Sequence, residues 1–141
     1  MIGRWTVILV IFFFITTALY AGNGTEQPGP MAKTLLDESW NGKKIELKVG
    51  DEIQIGLQGI GATGYAWYFD KLDRDLFQLS SEERKGKGRE NGEIVGSPTQ
   101  YIWVIKIKKI GSSVIEMSYY RIWEGKDKAI RRFGLEVDII P

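Results

Sequence analysis

From Lys44 to Ile140 the chain alternates apolar and polar residues at a period of two, and this pattern restricts its fold more than any other feature. Lys44-Ile45-Glu46-Leu47-Lys48-Val49 puts Ile45, Leu47 and Val49 on one face and the charges on the other. After the turn Val49-Gly50-Asp51, the residues Ile53, Ile55 and Leu57 repeat the alternation, and Tyr65, Trp67 and Phe69 do so again. Phe77 and Leu79 suggest a short strand, and Tyr101 to Ile107 is the strongest strand of all. Gly111-Ser112 turns it into Val114 to Tyr120, and the last strand, Ala129 to Ile140, carries Phe133, Leu135, Val137 and Ile139 on one face. Lys33 to Glu38, with Thr34 and Leu36 on one side, is a candidate first strand. After the N-terminal apolar stretch, no helical period continues beyond two turns. Roughly seven short strands separated by turn signals predict an all-β, immunoglobulin-like antiparallel sandwich, with a small closed barrel as the other architecture the pattern fits. The polar, Gly-rich segment Ser80 to Gly96 reads as one long connection, of the kind that is either functional or mobile.

The 141 residues contain no cysteine and no histidine. These absences remove disulfides, thiol and Ser-His catalysis, and the usual zinc ligands, so no cofactor or metal is expected and an enzyme would have to work with carboxylates, Lys or Tyr. The N-terminus has Arg4 as its only charge, then an apolar stretch from Trp5 to Leu19, then Ala21-Gly22. That order reads as a secretory signal over residues 1–21 cleaved after Ala21, with a retained membrane anchor as the alternative. Residues 22–32, with Pro28 and Pro30, read as a flexible leader, and residues 33–141 as one domain facing away from the cytoplasm. With Arg4 set aside, 18 basic residues balance 18 acidic ones, which leaves no electrostatic footprint for nucleic acid; a membrane would be met only through a retained N-terminal segment. The cluster Arg84-Lys85-Gly86-Lys87-Gly88-Arg89 follows Glu82 and Glu83 and reads as a solvated loop.

The stretch Gly59-Ile60-Gly61-Ala62-Thr63-Gly64 stands between two strand-like runs, and its three glycines allow close approach to another surface. Its spacing matches the dinucleotide fingerprint G-x-G-x-x-G, and Glu82 or Glu83 lies near the distance of the acidic partner. The helix that must open at the last glycine is missing, because Tyr65 to Phe69 alternates as a strand. What remains is a loop suited to contact, or an idle hairpin connection.

In a sandwich, alternate connections emerge at one end, where binding surfaces usually form. Counting through the strands puts three connections there: the loop after Leu57, the segment ending near Thr99, and Arg121-Ile122-Trp123-Glu124-Gly125. On these residues the chain resembles the chagasin-like inhibitors of papain-like cysteine proteases. That family has a first loop Asn-Pro-Thr-Thr-Gly followed by Tyr or Phe and then Trp, a Gly-rich middle loop, and a third loop Arg-Pro-Trp. Thr63-Gly64-Tyr65-Ala66-Trp67 matches the second half of the first motif, Gly96-Ser97-Pro98-Thr99 sits where the middle loop would be, and Arg121-Ile122-Trp123 matches the third at its two bulky positions. Ile60, Gly61 and Ala62 replace Asn, Pro and the first Thr, and Ile122 replaces Pro, so weaker binding than that of a family member with both prolines is expected. The resemblance implies an inhibitor that wedges its first loop, Gly59 to Gly64, into the protease cleft, and the domain is expected to be a monomer. Gly96, Ser97 and Pro98 would grip one side, and Arg121 and Trp123 the other. Trp and Arg are frequent interface anchors, and a short Thr63 hydroxyl can hydrogen-bond with little entropy to lose.

Other readings stand beside these. Tyr65, Trp67 and Trp103 lie within alternating strands and read as core; Trp123 can pack on its own loop; the Thr63 hydroxyl can bond the local backbone as a turn-former. Asp70, Asp73 and Asp75 would have to converge on a cleft for a carboxylate hydrolase, and read more simply as a polar turn. An exported immunoglobulin-like adhesion module without inhibition is the alternative function.

Overall fold

The computed structural model describes residues 33–60, 63–86 and 98–141. The expected signal segment and leader, together with Gly61, Ala62, Gly96 and Ser97, lie outside the described residues. Among the described residues there are eight strands: β1 (Lys33–Leu36), β2 (Lys43–Lys48), β3 (Glu52–Ile60), β4 (Tyr65–Lys71), β5 (Phe77–Gly86), β6 (Pro98–Ile107), β7 (Gly111–Arg121) and β8 (Arg131–Ile140). Two short 3-10 turns, Glu38–Trp40 and Lys126–Lys128, sit in the β1–β2 and β7–β8 connections. The strands form two four-stranded sheets, ordered β1-β3-β6-β5 and β2-β8-β7-β4, which is a sandwich and not a closed barrel.

Successive strands run alternately up and down, and this parity fixes the sheet geometry. The β3–β6, β5–β6, β4–β7 and β7–β8 pairs join odd to even strands and are antiparallel. The edge pairs β1–β3 and β2–β8 join odd to odd and even to even, so they are parallel. The sandwich is therefore antiparallel except along one edge of each sheet. Parity also gathers every odd-to-even connection at one end: residues 37–42, 61–64, 87–97 and 122–130.

Period-two alternation becomes the core. Ile53, Ile55 and Leu57 of β3 face Ile115, Met117 and Tyr119 of β7 and Phe133, Leu135, Val137 and Ile139 of β8 across the interior, with Trp103, Ile105 and Ile107 of β6 beside them. A fully buried Ile or Leu of this kind contributes about 1.5–3 kcal/mol from area alone. Trp67 and Trp103 are buried and Tyr65 packs half-buried against the cluster, as expected of core residues. Two expectations are corrected. Val49 is exposed, because β2 ends at Lys48 and the Val49 amide closes the turn on the Ile140 carbonyl. The connection expected from Ser80 to Gly96 is shorter, because β5 continues to Gly86, paired with β6 from Phe77↔Ile107 to Gly86↔Thr99. This is an edge strand held by backbone bonds, so its side chains are free to be polar, and Arg84, expected in a solvated loop, lies instead over the Tyr101 ring at 4.8 Å.

Candidate functional site

The end at which the odd strands finish is built around the β3–β4 turn. Ile60 closes β3 opposite Pro98, and Tyr65 opens β4 opposite Arg121, so the flanks of all three expected loops meet there. The first loop spans residues 61–64 and the third 122–130, and Gly86 and Pro98 flank the 87–97 connection at the same end.

Gly59 is required by proximity: a Cβ there would collide with the Tyr101 and Tyr119 rings. Gly64 is required by backbone as well as space, since its φ of 80° lies in the left-handed region and a Cβ would overlap the Trp123 indole. Trp123 thus lies across the first loop, joining it to the third. It remains 69% exposed, and Ile60 at 51% and Ile122 at 63% accompany it. Ile130 is exposed at the same end. Four of the seven exposed large apolar residues among the described ones therefore lie at this end, and clusters of exposed apolar side chains are typical of interaction sites.

Thr63 behaves as the turn-former: its hydroxyl donates to the Ile60 carbonyl at 2.9 Å and closes the turn. Arg121 is a brace more than a free fork. Its Nε donates to the Thr63 carbonyl at 2.9 Å, its Nη1 pairs with Glu124 Oε1 at 3.0 Å, and its guanidinium lies over the Tyr65 ring at 4.5 Å. Loop 3 has further fastenings. The Glu124 amide donates to the Arg121 carbonyl, the Ile130 amide to the Tyr119 carbonyl, and Lys126 Nζ reaches Asp70 Oδ1 at 3.1 Å. The Asp70 side chain is almost buried and also accepts from the Ser118 hydroxyl. Loop 3, with Ile122 where the family has Pro, is thus tied by bonds on both sides of Ile122.

Residues that sequence reasoning missed lie just behind the loops. The Ile60 amide donates to Tyr119 Oη at 2.8 Å. The Gln58 carbonyl accepts from Trp67 Nε1 at 3.1 Å and from Arg131 Nη1 at 2.7 Å, and the Gln58 amide donates to the Glu38 carboxylate. These partners are separated from Gln58 and Ile60 by up to 73 positions, so only the topology brings them together. The signal available in the sequence was the strand from Val114 to Tyr120, which contains Tyr119 but says nothing of its partner.

The chemistry of this end is that of contact. Asp70 is paired with Lys126, while Asp73 Oδ1 accepts the Asp75 amide at 2.9 Å in a local turn, so the three aspartates do not converge on a cleft. Among the described residues, no three of His, Cys, Asp or Glu come together as a metal-binding group. A shallow cleft of about 250 Å³ lies beside the loops, lined by Glu38, Asn41, Trp67, Arg131, Arg132 and Phe133, and holds one carboxylate already engaged with Gln58 and Arg131. Burial pushes the Tyr101 hydroxyl above its usual pKa, with nearby Arg84 opposing, which makes it a structural group donating to the Tyr65 carbonyl at 3.3 Å.

Comparison with known proteins agrees with this geometry. The sequence profile described as chagasin family peptidase inhibitor I42 matches residues 46–137. Amoebiasin-2 of Entamoeba histolytica is 28% identical over 130 residues, covering 92% of this chain and 96% of the relative. Chagasin of Trypanosoma cruzi is 23% identical over 99 residues, covering 70% of this chain and 90% of the relative. The crystal structure of a cysteine protease inhibitor from Entamoeba histolytica superposes with a TM-score of 0.69 at 31% identity, covering 79% of this chain and 100% of that one.

Proposed function

The chain belongs to the chagasin family of peptidase inhibitors, and from that premise we propose that its loop end enters the active-site cleft of a papain-like cysteine protease and blocks it reversibly. The protein is an inhibitor of cysteine proteases and not an enzyme. The observation that carries the mode of action is the pairing of exposure with bracing: Trp123 and Ile60 project at the tip of an end whose backbone is tied from behind. Preformed loops lose little freedom on association, so their contacts appear as affinity. The expected contact residue Gly59 is instead buried in β3 against the Tyr101 and Tyr119 rings, so the surface offered comprises Ile60 at the end of β3 with Gly61, Ala62, Thr63 and Gly64 of the first loop, Gly96, Ser97 and Pro98 at the second, and Trp123 in the third. Arg121 holds the first and third in register. A turn closed by the Thr63 hydroxyl differs from the extended strand that a protease cuts, which fits a wedge that stays intact.

The test is a titration of a papain-like protease with the protein, following residual activity and then checking that the inhibitor is uncut. Reversible, stoichiometric loss of activity with an intact inhibitor is expected. Retained activity across several such proteases, or rapid cleavage between Gly59 and Gly64, would overturn the wedge.

We further propose that residues 1–21 direct export, on the order of Arg4, the apolar stretch Trp5 to Leu19, and the small residues at its end. N-terminal sequencing of the mature protein is expected to begin at Gly22; a start at Met1 in a membrane fraction would indicate an anchor.

A further inference from the structure

We propose that Tyr119 is the positioning residue of the first loop, and that its hydroxyl, with Arg131, Trp67 and Glu38, takes the place of a missing strand along the last residues of β3. The proposal rests on the reading that the first loop is the part placed in the protease cleft.

In an antiparallel pair, alternate residues turn their N–H and C=O away from the partner strand. Along the end of β3, β6 covers one edge through Ile60↔Pro98, but β1 covers the other only from Glu52 to Ile55. Gln58 and Ile60 therefore present backbone groups to an edge with no strand beside it, and such groups must be satisfied. Side chains from outside the sheet satisfy them. Gln58 is met by Glu38, by Trp67 Nε1 at 3.1 Å and by Arg131 Nη1 at 2.7 Å. Ile60 is met by Tyr119 Oη, which accepts its amide at 2.8 Å and lies 3.4 Å from its carbonyl. Three of these four side chains come from the opposite sheet, so the root of the first loop is fixed to β4, β7 and β8.

Tyr119 is suited to set geometry because its ring is packed on several sides within the core. Its ring is 1% exposed, with the Tyr65 and Trp67 centroids at 5.5 and 5.2 Å and the Arg131 guanidinium at 5.7 Å. Gly59 lets this ring reach the strand, since any side chain there would collide with it. The hydroxyl thus transfers the rigidity of the core to the peptide unit immediately before the wedge. Without it, the loop root samples more orientations and only a fraction of molecules are poised to dock. The apparent dissociation constant rises by the inverse of that fraction.

Tyr119→Phe removes the hydroxyl and leaves the ring. The expected results are exchange of the Ile60 amide accelerated about tenfold or more, and an inhibition constant against a papain-like protease raised about tenfold, chiefly through slower association. Ile139→Val, a core truncation at the far end, is the control: it should lower the melting temperature at least as much while leaving the inhibition constant unchanged. Wild-type Ile60 protection with a wild-type inhibition constant in Tyr119→Phe would overturn the proposal. So would an equal loss of inhibition in Ile139→Val, since that would assign the effect to global stability. If the wild-type protein fails to inhibit, the cleft-binding reading falls, and the Ile60 exchange rate alone decides whether Tyr119 positions the loop root.

Discussion

The two ends of the sandwich are closed by different means. At the end remote from the loops, main chain closes main chain: the Gly50 amide to the Ile107 carbonyl at 2.9 Å, the Ile107 amide to the Asp51 carbonyl at 2.9 Å, and the Lys108 amide to the Leu76 carbonyl at 2.8 Å. Side chains add a few bonds there, such as Lys108 Nζ on the Arg74 carbonyl at 3.0 Å and the Lys48 amide on Asp51 Oδ2 at 2.8 Å. At the loop end, side chains reach across the molecule to hold backbone, through Arg121 on Thr63, Tyr119 on Ile60, and Arg131 and Trp67 on Gln58. Backbone closure is largely indifferent to side-chain identity, whereas side-chain closure depends on each residue that provides it. The remote end should therefore accept substitutions that change stability alone, while substitutions at the loop end change what the protein can hold.

The largest expected effect is Trp123→Ala. Removing an exposed aromatic anchor should raise the inhibition constant about thirtyfold or more, in line with a hot spot of about 2 kcal/mol, while thermal unfolding barely shifts. Ile110→Ala, at an exposed apolar residue of the remote end, should alter neither quantity. Equal inhibition by wild type and Trp123→Ala in a titrated protease assay would remove the loop end from the interface.

Two glycines sharpen the same contrast. Gly64 and Gly50 both have positive φ, 80° and 95°, so alanine at either should cost about 1 kcal/mol of backbone strain. For a domain of this size, that lowers the melting temperature by about 4–8 °C. Only Gly64→Ala also displaces the Trp123 indole, so it alone should weaken inhibition, by about tenfold. Calorimetry and inhibition constants measured on both variants separate the two losses. A parallel loss of inhibition in Gly50→Ala would break the comparison.

The sequence made the core legible, because alternation such as Ile53, Ile55 and Leu57 translates directly into an inward face, though the same alternation overran into the remote turn at Val49. Parity of the strands likewise placed the three loops at one end before any coordinates. Three features were hidden for physical reasons. The second half of β5 carries Glu82, Glu83, Arg84 and Lys85, and an edge strand paired only through backbone needs no apolar period. The parallel edges β1 and β2 escaped because alternation identifies faces, not directions. Tyr119 and Arg131 were not singled out at all, since a hydrogen bond between residues 59 or 73 positions apart leaves no local pattern. Arg121 and Thr63 were recognised as site residues by motif, yet their side chains are turned inward to hold the loops, a distinction the motif does not encode.

At alkaline pH the loop end should respond through Tyr101. Burial raises its folded pKa above the usual value near 10, while an unfolded chain ionises near 10. Its contribution is therefore complete below about pH 10 and is lost as pH rises through the folded value. Tyr101→Phe removes the ionisable group, so its melting temperature should fall less steeply above pH 10 than that of the wild type. Identical slopes in a pH series of thermal melts would show that the buried hydroxyl is not what limits alkaline stability.

The smallest effect belongs to the outer face of β2 and β8, where Lys44 pairs with Asp138 in full view of solvent. The hydrogen bond from Lys44, then that from Ser112, holds the Asp138 carboxyl below its usual 3.8, so its stabilisation is present above that value and disappears as pH falls through the lower folded one. Because both groups are exposed, water and salt screen the pair, and Asp138→Asn should shift the acid limb of the melting curve less than any substitution above. The pair lies on a surface remote from Trp123, so inhibition should be unaffected at neutral pH. An acid shift larger than that caused by Gly50→Ala would mean that the exposed pair is coupled to the backbone closure of the remote end. Raising the ionic strength decides between these outcomes, since an isolated surface pair loses its contribution in salt while a main-chain closure does not.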